Sequence, residues 1–368
     1  MPRTTIRSID CLKLRLPFRH GAEPPLFAGR PRTTLDSVLV RVELDNGAVG
    51  WGEAYGGELD ALAAVLAHRV APLACGRDAL EPGLTPALER TLHNLGRSGV
   101  LLHALSGLDI ALWDLRGKLE GVPLHALLGG AKRQRIPAYA SLLQYYGDAG
   151  LVACHTARAL EDGFGRVKLH ERTAAAVAAA RRALGPGLPL MVDTNCAWQL
   201  DEAVRTVREM APFDPLWIEE PLWPPEDGGS LAALRAATGI PVAVGENASS
   251  LFELQSLVAN AGVDYLQPSA IKCGGVTALW QLARQCEGTA VRFSPQSAFF
   301  GPGFLATLHV LAAQEAECAV ERLYCELGAV PYGTAVPLQR GHFTLTDRPG
   351  LGADPEPALI DGPFVSRP

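Results

Sequence analysis

The chain has 368 residues, 48% of them hydrophobic, and a formal net charge of −6. That length supports a large buried core and divides naturally into one large barrel plus an accessory unit. The mild acidity without a Lys/Arg-rich stripe argues against nucleic acid as the main partner, and no apolar run reaches the length of a membrane span.

The N-terminal stretch "MPRTTIRSIDCLKLRLPF" lacks the continuous apolar core of a secretory leader. The eight cysteines, Cys11, Cys75, Cys154, Cys196, Cys273, Cys286, Cys318 and Cys325, form no C-x-x-C pair. The expectation is a cytoplasmic protein with free thiols. Residues 1–130 read as an α+β unit, strands first and helices afterwards. "TTIRSIDCLKLRL" and "DSVLVRVELDNGAVGWGEAY" have strand character, the second folded back at Asp45-Asn46-Gly47, a strong hairpin signal. In "HALSGLDIALWDLRGKLEGVPLHALLGG", Leu105, Leu108, Ala111, Leu112 and Leu115 recur at helical spacing.

Over 131–330 the pattern alternates strand and helix. The strand candidates are "IPAYASL", "GRVKLH", "LPLMVDTN", "LWIEEP", "IPVAVGEN", "VDYLQPS", "AVRFSPQ" and "CAVERL". Their continuous apolar runs fit a parallel sheet covered on both faces, and eight such units close a barrel. Residues 331–368 are turn-rich and are expected to pack back on the N-terminal unit. No low-complexity linker intervenes.

In such a barrel the chemistry sits where the strands end, at the C-terminal face. Reading those positions gives Lys168 and His170, then Asp193, Glu219, Glu246, Ser269, Gln296 and Glu321. A single strand-end acid also serves as a helix N-cap. Asp193, Glu219 and Glu246 on consecutive strands are different, because converging carboxylates repel unless a cation sits among them. Hard oxygen ligands without Cys or His suit Mg²⁺. Glu220 points the other way by strand alternation and reads as structural, whereas Asn195 shares the face of Asp193 and is placed to orient a ligand or water. Lys168 and His170, two apart on one strand, face the same side. Next to a divalent cation they suit removal of a proton α to a carboxylate, whose developing charge the cation stabilises. Mutual repulsion and the metal are expected to lower both pKa values, leaving His170 as the base and Lys168 as the cationic contact to substrate.

These residues resemble the enolase superfamily, specifically its mandelate racemase/muconate lactonizing enzyme-like family. "ALSGLDIALWDLRGKLEGVPLHALLGG", "VDTN", "WIEEP", "VGEN" and "IKCGGVT" follow in family order across nearly the whole chain. The superfamily is itself the standard example of a Lys or His base working with Mg²⁺, so that mechanism comes with the resemblance. The resemblance implies an α+β capping domain plus an α/β, TIM-like (β/α)7β barrel. It implies Asp193, Glu219 and Glu246 as Mg²⁺ ligands and the K-x-H pair as the acid/base motif of the second strand. Glu321 matches the acid that hydrogen-bonds the substrate carboxylate, and Tyr139 and Ser141 match first-strand positions lining the site. The family tendency is a homo-oligomer, dimer or octamer.

Two positions depart from the racemase branch, which carries a His at the seventh strand end paired with an Asp at the sixth. Here they are Gln296 and Ser269. Muconate cycloisomerase-like relatives place a Lys at the sixth-strand position, and Lys272 lies three residues beyond it. Neither Ser269 nor Gln296 takes up a proton near neutral pH. A one-sided set, Lys168 with His170, fits elimination of water from an acid sugar or hydroxy acid, or an intramolecular cycloisomerisation. Lys272 is the candidate opposite-face acid, and Ser269 and Gln296 are candidates for substrate contact. The alternatives are a racemase or epimerase using Lys272, and a member that binds metal without catalysis. The small carboxylate substrate is expected to meet loops of the capping domain, with Arg30, Arg32, His20 and Phe27 as distal contacts, and Trp198 and Trp223 as pocket walls.

Overall fold

Alternation of inward apolar and outward charged residues makes the strand Ile6–Arg19, with Leu12, Leu14, Leu16 and Phe18 all buried. In the computed structural model, which describes residues 4–248, 250–259 and 262–367, this strand pairs antiparallel with Thr34–Leu44, and that one with Val49–Tyr55. Residues 1–3 and 368, the outer ends of the expected 1–130 and 331–368 units, lie outside the described residues. The hairpin turns where Asp45-Asn46-Gly47 indicated. Gly47 takes φ +83° and its N–H donates to the Leu44 carbonyl at 2.9 Å, while Asn46 Oδ1 accepts from Ala48 N–H at 3.0 Å.

The helix Val100–Glu120 lies across this sheet. Its close approach depends on two glycines, since a Cβ on Gly52 would stand 1.9 Å from the Gly107 carbonyl oxygen. The helix turns its polar residues to the barrel helix Gly275–Cys286. Ser106 Oγ accepts from Gly274 N–H at 2.8 Å, Asp109 accepts from Thr277 N–H at 2.9 Å and its hydroxyl at 2.6 Å, and Trp113 Nε1 donates to Thr277 Oγ1 at 2.8 Å. Positions 106, 109 and 113 recur at helical spacing, so the "SGLDIALW" run is the docking face.

Glu53, 1% exposed on the strand Val49–Tyr55, completes the docking. Its Oε2 accepts from Gly301 N–H at 3.1 Å and Gly303 N–H at 3.0 Å, at the start of the barrel helix Pro302–Ala313. Burial is the main reason its pKa is pushed up to about 7. Glu53→Ala strands two buried N–H donors and is expected to lower stability by about 1–3 kcal/mol. A carboxyl held above its unfolded value binds more protons folded than unfolded. Its contribution therefore declines as pH rises from the ordinary carboxylate range through about 7. Thermal denaturation of the wild type and Glu53→Gln across that range should show a flatter slope for the variant.

The barrel is built from Arg135–Leu142, Val167–Leu169, Leu190–Asp193, Trp217–Glu219, Val242–Val244, Tyr265–Leu266, Arg292–Phe293 and Val320–Leu323. Consecutive strands pair in parallel from the first to the seventh, and the eighth pairs in parallel with the first. Among the described residues seven α-helices connect them, from Ala149–Glu161 to Pro302–Ala313, giving the expected (β/α)7β barrel. Side-chain alternation fills the interior in two levels. Tyr139, Met191, Trp217, Ala243, Tyr265 and Ala319 form an apolar lower cluster. Ser141, Asp193 and Glu219 follow two residues after Tyr139, Met191 and Trp217, so the polar groups stand above that floor.

Beyond the eighth strand the chain returns to both units. Glu326–Leu327 pairs with Phe18–Arg19 and Val365–Ser366 with Lys13–Leu14, whereas His342–Thr344 pairs with Arg135–Pro137 at the edge of the barrel. All eight cysteines are free. Among the described residues no helix is long and apolar enough to cross a membrane.

Candidate active site

Three neighbouring strands bring three acids to one point. Asp193 and Glu219 end the third and fourth barrel strands, and Glu246 follows the fifth. Each offers a carboxylate oxygen, and these oxygens lie within 4.8 Å of one another. Ligands on opposite sides of a Mg²⁺ stand roughly 4 Å apart, so the trio fits such an ion with small side-chain adjustments. Asp193 and Glu219 are fully buried, and the Glu246 side chain is 23% exposed. Asn195 is tied to the trio, because its backbone N–H and its amide both donate to Asp193 Oδ1, at 2.9 and 2.8 Å. Its side chain therefore orients Asp193.

The second strand supplies Lys168 and His170 on the same side, as alternation requires. Lys168 Nζ, 1% exposed, lies 2.7 Å from Glu219 Oε1, 2.9 Å from Glu321 Oε1 and 3.2 Å from Asp193 Oδ2. His170 Nε2 stands 3.2 Å from the same Asp193 oxygen, while Nδ1 lies 2.6 Å from the Leu142 carbonyl oxygen. A carbonyl only accepts, so Nδ1 carries a proton and Nε2 is the nitrogen facing the site. Glu321 is held by the Ser141 hydroxyl at 2.8 Å on Oε1 and by Ser297 N–H at 3.2 Å on Oε2.

The protein's own groups, taken without the metal's charge, move both Lys168 and His170 upward. Burial would lower Lys168, but Glu219, Glu321 and Asp193 together push it well above the ordinary lysine value. Burial also opposes charge on His170, yet Asp193 raises it above 6.5. Carboxylates in direct contact outweigh the repulsion between the two cations. The acids diverge in turn. Despite burial, Asp193 is held below the usual carboxylate range by Lys168 and His170. Glu219 is driven up, first by burial and then by Asp193 and Glu321, against the pull of Lys168.

The other positions fall around this centre. Tyr139 belongs to the lower cluster, edge-on to Trp217 at 6.2 Å between ring centroids. Ser269 and Gln296 pair as neighbours where the sixth and seventh strands end, 1% and 5% exposed. Lys272 Nζ lies 3.3 Å from Glu246 Oε1 and 4.5 Å from the centre of the Tyr55 ring. Glu220 turns away from the trio to accept from Asn247 N–H and its amide, at 3.1 and 2.6 Å. It is nevertheless pushed up to about 7, mainly by burial and then by Glu246 and Asp193.

Of the loop residues, Arg30 and Phe27 sit in an exposed hairpin, with Arg32 over the Phe27 ring at 4.9 Å. His20 is buried against Tyr145, Trp198 is buried and Trp223 is 63% exposed. Sequence reasoning missed three residues here. Tyr55 and His103, edge-on at 5.3 Å, bring the N-terminal unit against Lys272, and Gln267 donates its amide to Glu219 Oε2 at 2.7 Å. Gln267 was findable, lying two before Ser269 on the inward face of its strand. Tyr55 and His103 carry no motif signal.

Comparison with known proteins gives this geometry a family. Residues 152–359 match the enolase C-terminal domain-like family, and residues 17–129 match the mandelate racemase/muconate lactonizing enzyme N-terminal domain. The chain is 32% identical to a D-galactarolactone cycloisomerase of Agrobacterium fabrum over 336 residues, covering 86% of this chain and 88% of the relative. It is 31% identical to a D-galactonate dehydratase of Xanthomonas euvesicatoria over 291 residues, 74% of each chain. The crystal structure of a racemase from Streptomyces coelicolor with bound magnesium superposes with a TM-score of 0.87 at 25% identity, covering 98% of this chain and 100% of the other. The chain belongs to the mandelate racemase/muconate lactonizing enzyme family of the enolase superfamily.

Proposed function

We propose that the chain is a Mg²⁺-dependent enzyme that removes the α-proton of an acid-sugar carboxylate, leading to loss of water or to cycloisomerisation. The observation that carries this reading is the convergence of Lys168 Nζ and His170 Nε2 on Asp193 Oδ2, beside carboxylates spaced to hold one cation. The named relatives, a cycloisomerase and a dehydratase of sugar acids, support the substrate class. Asp193, Glu219 and Glu246 would hold the Mg²⁺, as the magnesium-containing structure of the Streptomyces racemase supports. When bound, it supplies Lewis-acid stabilisation of the charge that develops on the substrate carboxylate.

His170 Nε2 takes the proton, its ring held by the Leu142 carbonyl. Lys168 is the fixed cation at the carboxylate end. Glu321, held by Ser141 and Ser297 and 2.9 Å from Lys168 Nζ, hydrogen-bonds that carboxylate when it carries a proton. Asn195 keeps Asp193 aimed, and Tyr139 closes the floor.

A racemase or epimerase is the second reading, favoured by Lys272, 8% exposed on the sixth-strand side and 3.3 Å from Glu246. Free thiols throughout support a cytoplasmic location, and the exposed Trp223 and Phe252 support homo-oligomeric assembly.

Proton NMR in D₂O of the Mg²⁺-loaded protein with a panel of sugar acids decides among these. A 2-keto-3-deoxy product establishes the dehydratase, and a ring-closed isomer the cycloisomerase. Deuterium at the α-carbon without elimination moves the assignment to the epimerase. Neither exchange nor product across the panel would leave a metal-binding member without catalysis.

A further inference from the structure

Among the described residues, four buried polar atoms facing the barrel interior have no hydrogen-bond partner within the chain: Tyr139 Oη, Gln267 Oε1, Ser269 Oγ and Gln296 Oε1. Tyr139 sits in the aromatic floor, and Gln267 is anchored on Glu219 by its amide. Ser269 and Gln296 remain, side by side, with Gln296 N–H bonded to the Pro268 carbonyl at 3.1 Å. Buried polar groups are nearly always paired, so two adjacent orphans mark a place prepared for a ligand.

Their chemistry defines that ligand. Gln296 Oε1 only accepts a hydrogen bond, whereas the Ser269 hydroxyl both donates and accepts. A group that gives a proton to Gln296 and takes one from Ser269 satisfies both, and an alcohol hydroxyl does this. With the amide oriented as it stands, a carboxylate gives no proton to Gln296 Oε1, and an ammonium group leaves the Ser269 donor unpaired. The location adds stereochemistry. The sixth strand lies four from the second around an eight-stranded ring, hence across it from Lys168 and His170. Ser297, next to Gln296, holds Glu321, so the pair adjoins the end assigned to the substrate carboxylate. Lys272, the cation on this side, is turned towards Glu246 and Tyr55.

We propose that Ser269 and Gln296 form a neutral hydroxyl-binding subsite across the barrel from Lys168 and His170. The substrate is then a polyhydroxylated carboxylate, one of whose hydroxyls is gripped on that side, and its α-proton is exchanged or removed on the Lys168/His170 face only. This inference rests on the reading of Lys168 and His170 given under Proposed function.

The test is calorimetric binding to the Mg²⁺-loaded wild type, Gln296→Leu and Ser269→Ala. The probes are D-galactonate, D-talonate, D-gulonate, D-gluconate and malonate, a hydroxyl-free carboxylate. At least one hexonate should bind wild type more tightly than malonate does. Each variant should weaken that hexonate about tenfold, with malonate and Mg²⁺ affinities unchanged. The double variant should lose less than the product of the single losses, because both groups grip one hydroxyl. Equal losses for malonate and hexonate, no loss for either, or no hexonate preferred by wild type would each overturn the subsite. Proton NMR of the same samples in D₂O separates the two claims. Hexonate selectivity without exchange or elimination would reject the catalytic reading while leaving the subsite standing, and deuterium entering both α-faces would overturn the one-face assignment.

Discussion

Lys168→Met is expected to abolish measurable turnover and to make the folded protein depend on Mg²⁺. Its ammonium is the shared partner of Asp193, Glu219 and Glu321, at 3.2, 2.7 and 2.9 Å, and all four side chains are buried. Removing one member of such a cluster leaves uncompensated buried charge, which destabilises by about 3–5 kcal/mol. Binding an ion to the native state returns RT ln(1 + [L]/Kd), about 2.7 kcal/mol at a hundredfold excess over Kd. Thermal denaturation in EDTA and in excess Mg²⁺ should therefore separate widely for the variant and less for the wild type. Turnover should fall by at least about 10³-fold through loss of the fixed cation. A variant as stable as wild type in EDTA would show that Lys168 does not hold these acids together.

The second large effect is expected from His170→Asn. The Asn amide can still donate to the Leu142 carbonyl, but no basic nitrogen then faces Asp193 Oδ2. General-base catalysis contributes about 10²–10⁴-fold, and turnover should drop by that factor. Mg²⁺ affinity should stay within a few-fold, since His170 is outside the carboxylate trio. Retained α-proton exchange in D₂O at the wild-type rate would transfer the base role to Lys168. Loss of Mg²⁺ binding instead would show that His170 acts by positioning Asp193.

Much of this arrangement is legible in the linear chain because strands and turns obey local rules. The Asp45-Asn46-Gly47 hairpin follows from the conformational freedom of Gly47. The meeting of Asp193, Glu219 and Glu246 follows from a barrel rule applied to three similar strand ends. Lys168 and His170 share a side because strand side chains alternate with a period of two. The family follows from motifs spread over nearly the whole length.

Other features depend on residues far apart in sequence. Glu53 meets the helix that begins near Gly301, and Tyr55 with His103 meets Lys272, only after the N-terminal sheet docks on the barrel. The protein's own groups raise Lys168 and His170 because direct contacts of 2.7–3.2 Å with carboxylates outweigh the repulsion between the two cations. Ser269 and Gln296 read in sequence as the absence of a base. Their neighbouring positions, burial and unpaired atoms appear only in three dimensions. Periodicity sets which face a side chain takes and so travels with the chain itself. Electrostatics and hydrogen-bond satisfaction depend on distances between elements, and packing alone sets those.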